Sequence, residues 1–259
     1  MRKIMLAVHA LFAVTFAYAQ EPLATVPPSR AFLPRFDFAI SLASLASSDP
    51  RFTYDGRATA DFDVVDYVKG RTSVFAQYQV VMGNQLRAFD PNQSNYTFEG
   101  SSSWRFGRAE VAGVFHHLSR HLSDRSNTQS IAFNALGGRV MYHFNRGRTG
   151  IDVRTDVEKV IQHAFLDYSW TGQMHAAARR PIKPMLAVFG RLAFETYGVD
   201  PAIARRSQQN GGSVEGGLLV NGGRAAVEMY AGWEQVVDAY PLDRAIQRFS
   251  FIGFRIEAK

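Results

Sequence analysis

Ile151-Asp152-Val153-Arg154-Thr155-Asp156-Val157-Glu158 alternates without a break between two kinds of side chain. Successive residues of a β-strand point to opposite faces, so Ile151, Val153, Thr155 and Val157 form one row, and Asp152, Arg154, Asp156 and Glu158 the other. A ribbon that is apolar on one side and wholly charged on the other suits a strand with hydrocarbon against one face and an enclosed polar interior behind the other. The carboxylates of such a row are expected to pair with arginines across that interior.

The same period of two recurs on both sides of this stretch. Phe36, Phe38, Ile40 and Leu42 oppose Asp37, Ala39, Ser41 and Ala43, and Ala58, Ala60, Phe62 and Val64 oppose Thr59, Asp61 and Asp63. A third strand spans about 71 to 82, and a fourth alternates Tyr96, Phe98 and Trp104 with Thr97, Glu99 and Arg105. Further strands are predicted near 107–121, 130–144, 149–158, 160–173, 184–197, 211–221, 223–237 and 244–257. The fold class expected is all-β, a transmembrane antiparallel β-barrel of about 12 strands. Long outer loops at 83–94, 120–129 and 198–210 then alternate with tight inner turns at Gly107, 145–148 and Gly222-Gly223. Two joins break the rhythm, 158–160 being short for an outer loop and 174–183 long for an inner one.

The N-terminus agrees with an exported barrel. Arg2 and Lys3 precede the apolar run Ile4 to Phe16, which ends at Ala17-Tyr18-Ala19, the pattern of a cleavable signal peptide over 1–19. Pro22, Pro27, Pro28 and Pro34 mark 20–34 as an N-terminal lead-in, which leaves 35–259 for the barrel domain and the outer membrane as the expected location. Losing Arg2 and Lys3 with the signal lowers the formal net charge from +6 to +4. Cysteine is absent, which excludes disulfides, thiolate metal sites and a lipidated cysteine. The arginines are scattered rather than clustered, so no nucleic-acid partner is expected. The C-terminal Phe249 to Ile256 reads as a closing strand for the barrel-assembly machinery to recognise, although Glu257-Ala258-Lys259 replaces the usual terminal aromatic.

One segment carries the residues of a chemistry: Phe115-His116-His117-Leu118-Ser119-Arg120-His121-Leu122-Ser123-Asp124-Arg125. On a strand, residues two apart share a face at roughly 6.6 Å, so His117, Ser119 and His121 line up. Serine becomes a nucleophile beside a base, and histidine is the usual one. Asp124, Asn134 or Gln129 could orient the imidazole. The residues Ala109, Val111, Gly113 and Phe115 carry no charge, whereas Arg108, Glu110, His116 and Arg120 do, so His117 and Ser119 are expected to face lipid. No metal is expected, because His117 and His121 would start roughly 13 Å apart on a strand and Leu118 stands where an HExxH site needs its glutamate. No cofactor is expected either.

The His117-x-Ser119 pair resembles the His-x-Ser motif of the lipid A 3-O-deacylase barrels. The longer His117-x-Ser119-x-His121-Leu122-x-Asp124 string is similar to one in an uncharacterised family of bacterial outer-membrane barrels. The deacylase resemblance implies His117 as base and Ser119 as nucleophile. Its orienting carboxylate, on the following strand, has no counterpart here, since Gln129 to Tyr142 contains no acid. The site expected is therefore catalytic His117, Ser119, His121 and Asp124, with Arg120 and Arg125 gripping the phosphates of an outer-membrane lipid or lipopolysaccharide. The rivals are a non-catalytic pore or structural envelope barrel, and a soluble periplasmic β-protein with its apolar face inside.

Overall fold

In the computed structural model, which describes residues 29–122 and 129–258, the chain forms twelve antiparallel strands closed into one barrel. The first six are β1 (Ala31–Ala46), β2 (Tyr54–Asp66), β3 (Arg71–Gly83), β4 (Asp90–Phe106), β5 (Ala109–His121) and β6 (Ile131–Arg146). The remainder are β7 (Thr149–Ala164), β8 (Tyr168–Lys183), β9 (Leu186–Val199), β10 (Gln209–Asn221), β11 (Ala225–Tyr240) and β12 (Ala245–Ala258). Each strand pairs with its neighbours in sequence, and β1 closes on β12 with Leu42 opposite Phe254. Closure removes the sheet edges that would otherwise expose unpaired backbone groups to hydrocarbon. The expected signal peptide lies outside the described residues.

The packing is inside out relative to a soluble sandwich. In β7, Arg154, Asp156 and Glu158 are 5%, 1% and 2% exposed, whereas Val157 is 61% exposed. Around the barrel the pattern repeats: Arg71, Arg139 and Glu228 are buried, while Leu136, Val140, Met229 and Ile252 face outward. The charged row therefore lines the interior and the apolar row forms the outer band, which rules out two sheets packed on a greasy core.

Inside, charges pair from strand to strand. Arg139 reaches Glu99 at 2.6 Å and also pairs with Asp156, which accepts from Arg154 at 2.6 Å. Arg191 contacts Glu215 at 2.8 Å and Glu228 at 2.7 Å, and Arg71 contacts Glu110 at 2.9 Å. These bridges link strands one or two apart along the inner wall, and their buried side chains project into the lumen.

The connections sort the two ends. At the rim that carries both chain termini, the turns at 107–108, 147–148 and 184–185 are tight, whereas the opposite rim has the longer segments 47–53, 122–130 and 200–208. Barrels place short turns in the periplasm and long loops outside, so the terminus rim is assigned to the periplasm.

Two of the expected joins are corrected. There is no connection at 158–160, because Lys159 and Val160 continue the ladder opposite Leu136 and Ala135, and the chain turns at 165–167. Nor is 174–183 a loop. Its alanine-rich run has little intrinsic strand preference, but Ala176 and Ala178 pair with Val153 and Ile151, so β8 continues to Lys183. β1 also starts earlier than expected, at Ala31; Pro34 is accommodated where the register with β2 shifts, between Phe32 and Arg35, and before β12 pairs.

Candidate active site on the lipid-facing wall

β5 alternates as its sequence predicts. Glu110, Ala112, Val114 and His116 are buried inside, so His117, Ser119 and His121 fall on the outer face near the loop end of the strand. Register then decides what surrounds them. His117 lies between Phe98 on β4 and Asn134 on β6, and Ser119 lies between Tyr96 and Ala132. Phe98 and Tyr96 are exposed, so the cluster sits in the apolar band rather than in the lumen.

The cluster holds two hydrogen-bonded units. In the first, His117 Nδ1 donates to Asn134 Oδ1 at 2.6 Å, and Asn134 Nδ2 donates to Gln162 Oε1 at 2.9 Å. Gln162 occupies the amide nitrogen of Asn134, which turns its oxygen to the imidazole. That fixes the proton on Nδ1 and leaves the Nε2 lone pair free to take a proton. In the second unit, the Ser119 hydroxyl and His121 Nε2 are hydrogen-bonded at 2.9 Å. The His121 ring meets Tyr96 edge to face at 5.3 Å, and Tyr96 packs on Tyr78 at 5.1 Å. Serine thus stands between two imidazoles, one oriented by an amide relay and the other against an aromatic shelf.

Gln162 reaches Asn134 because of a bulge. In β7, Arg154, Asp156, Glu158 and Val160 point inward, and unbroken alternation would send Gln162 inward too. The ladder slips instead. Ala135 pairs with Val160 and Asn134 with Gln162, so Ile161 is the extra residue and both Ile161 and Gln162 face out.

The other expected residues are placed differently. Arg120 turns into the barrel and donates to the Asp238 carbonyl at 2.6 Å, so it does not join His117 and Ser119 on the lipid side. Asp124 and Arg125 lie outside the described residues. Sequence reasoning listed Asn134 among the possible orienting groups but missed Gln162, which alternation alone assigns to the wrong face. Among the described residues no three of His, Asp or Glu are grouped to hold a metal ion.

Solved structures with this architecture settle the fold class. Outer membrane phospholipase A from Escherichia coli superimposes with a TM-score of 0.53 at 10% identity, over 88% of this chain and 98% of that one. The fold is that of an outer-membrane barrel. The Salmonella typhi outer membrane phospholipase, described as a dimer with bound calcium, gives 0.53 at 10% identity over 90% of this chain and 93% of that one. A further Escherichia coli phospholipase A structure is described as an active-site mutant in which asparagine is replaced by alanine, also at 0.53 and 10% identity, over 88% and 91%. No protein-family model matches the chain. No curated protein matches it in sequence.

Proposed function

We propose that this barrel is a serine-type acyl hydrolase that cleaves fatty-acyl esters of outer-leaflet lipids, with Ser119 as nucleophile, His117 as base and Asn134 as the group that orients the base. The observation that carries the reading is the relay from Gln162 through Asn134 to His117, on the lipid-facing wall two residues along the strand from a serine. An outward-facing histidine has little structural reason to be held this way, whereas an oriented imidazole next to a hydroxyl is the arrangement that nucleophilic catalysis needs. The phospholipase neighbours support it in part, since one of them is described as an active-site mutant at an asparagine.

In the reaction, Ser119 rotates about χ1 from His121 toward His117. Nε2 takes the hydroxyl proton as Oγ bonds to the ester carbonyl carbon. Collapse of the tetrahedral intermediate breaks the bond to the alcohol, which leaves with the proton from His117, and a fatty-acyl serine remains. Water, deprotonated by the same imidazole, then releases the free fatty acid and restores Ser119. Asn134 is neutral, so its part is to hold the ring and its tautomer rather than to balance the imidazolium charge.

The substrate is an acyl ester of lipid A or of a glycerophospholipid, and lipopolysaccharide is the partner expected around the outer loops. The reading also takes 1–19 as an export signal and Arg125 as a phosphate contact. Purified protein should release fatty acid from one of these two lipids in mixed micelles, and Ser119→Ala should abolish the release. Mass analysis of the products tells lipid A from phospholipid. Equal, background-level release by both proteins would sink the enzyme and leave the second reading, a structural barrel. That reading draws on the resting contact of Ser119 with His121 instead of His117.

A further inference from the structure

We infer that the periplasmic rim of this barrel carries a binding collar for anionic phospholipid headgroups, which sets the depth at which the barrel sits. Every turn at the terminus rim presents an exposed cation: Lys69 between β2 and β3, Arg108 between β4 and β5, Arg146 and Arg148 about the β6–β7 turn, Lys183 at the end of β8, and Arg224 between β10 and β11. Among the described residues none of the six is ion-paired. The carboxylates at that end are occupied elsewhere, Asp66 by Arg105, Asp37 by Arg35, Asp152 by His143 and Glu257 by Arg179 and Arg191. The surface left at this rim is therefore positive all round.

The neighbouring side chains say which anion fits. Trp104, Phe106 and Tyr142 are exposed on the strand ends at this rim, and Lys69 Nζ lies 5.9 Å from the Trp104 ring centre. Aromatic rings at the edge of an apolar band mark the headgroup layer, so the cations beside them stand where lipid phosphates are. Guanidinium is the better fork for phosphate, and four of the six are arginines. The opposite rim is mixed: Asp49 and Asp243 there are bridged by Arg51, and exposed Arg87 and Arg205 share it with Asp200. The collar thus favours phosphatidylglycerol-type lipids in the leaflet at the terminus rim.

Depth follows from the length of β5. Arg108 and Ser119 are separated by a strand rising about 3.4 Å per residue and tilted by roughly 40°, which puts them about 28 Å apart along the membrane normal. With the collar in one headgroup layer, Ser119 stands near the far border of the hydrocarbon, where acyl esters of the other leaflet lie. The collar does not require Ser119 to be catalytic, and its test uses no enzyme assay.

The full chain is refolded into nanodiscs of phosphatidylcholine doped with phosphatidylglycerol, and the lipids that stay bound are counted by native mass spectrometry. Phosphatidylglycerol is expected to be enriched over its share of the bilayer. The variant Arg108→Gln/Arg146→Gln/Arg148→Gln should lower that enrichment by up to about five-fold per arginine, the equivalent of ~1 kcal/mol each. Arg87→Gln/Arg205→Gln, at the opposite rim, should leave it in place. Heat-modifiable gel migration reports whether each variant is folded, and if the triple variant is not, Arg148→Gln alone should show a loss in the same direction. Retention at the bulk share, equal enrichment in wild type and the rim variant, or an equal loss from the opposite-rim variant would overturn the collar.

Discussion

At the scale of single residues, Ser119 faces a choice between two imidazoles that differ in how they are held. His117 has its Nδ1 proton committed to Asn134, while His121 shares a hydrogen bond with the serine hydroxyl and rests against Tyr96. If His117 is the base, His117→Ala should lower the hydrolysis rate by about 10²–10⁴-fold, and His121→Ala should leave it near wild type or raise it by freeing the hydroxyl. Rates on a dispersed acyl ester decide this, and the opposite ranking would make His121 the base. Gln162 acts one step further back. Gln162→Ala should reduce kcat by up to about a hundred-fold with little change in KM, because Asn134 can then flip its amide and misplace the ring. Gln162→Glu, which keeps an acceptor for Asn134, should restore the rate above the carboxyl's protonation. The pH profile of the two variants separates positioning from a merely structural role.

Between residues and the whole barrel, the elements show what alternation can and cannot reveal. That His117 and Ser119 share the outer face was legible because both lie on one uninterrupted strand of period two. Asn134 was within reach because a neighbouring antiparallel strand must pass beside His117, though nothing in the chain singled it out from Asp124 or Gln129. Gln162 was not legible: a single extra residue, Ile161, inverts every face beyond it. The outer turn after β7 also escaped notice. Asp167 accepts from Arg206 at 2.6 Å and from Arg244 at 2.8 Å, tying the loops after β9 and β11 to this short turn. Burial alone would push the Asp167 carboxyl up, but the hydrogen bonds and charge of Arg206 and the charge of Arg244 outweigh it and hold the group below the ordinary carboxylate range. A depressed carboxyl adds stability above its unfolded pKa, near 4, and that contribution fades as the pH falls through the folded value. Limited proteolysis should therefore find the 200–208 loop resistant at neutral pH and progressively cleavable below about pH 4 by an acid-active protease. Asp167→Asn should expose it at neutral pH as well.

For the whole molecule, the interior decides between a pore and a closed cylinder. Bridges such as Glu99–Arg139–Asp156 and Glu215–Arg191–Glu228 line the inner wall with side chains almost wholly buried, so planar bilayers holding the protein should show no stepwise conductance. The same bridges are costly to break one partner at a time. Charges taken out of water are repaid only by each other, and removing one of them strands the rest. Arg139→Met leaves Glu99 and Asp156 in a dry interior with Arg154 as their remaining strong cation, and should cost about 3–5 kcal/mol in urea unfolding from detergent or vesicles. Adding Glu99→Gln to that variant removes one stranded charge and should recover part of the loss. If the interior were instead a hydrated channel, water would screen the orphaned carboxylates, Arg139→Met would cost little, and Glu99→Gln would bring no recovery. The double variant therefore measures how dry the lumen is, and does so independently of any current across the membrane.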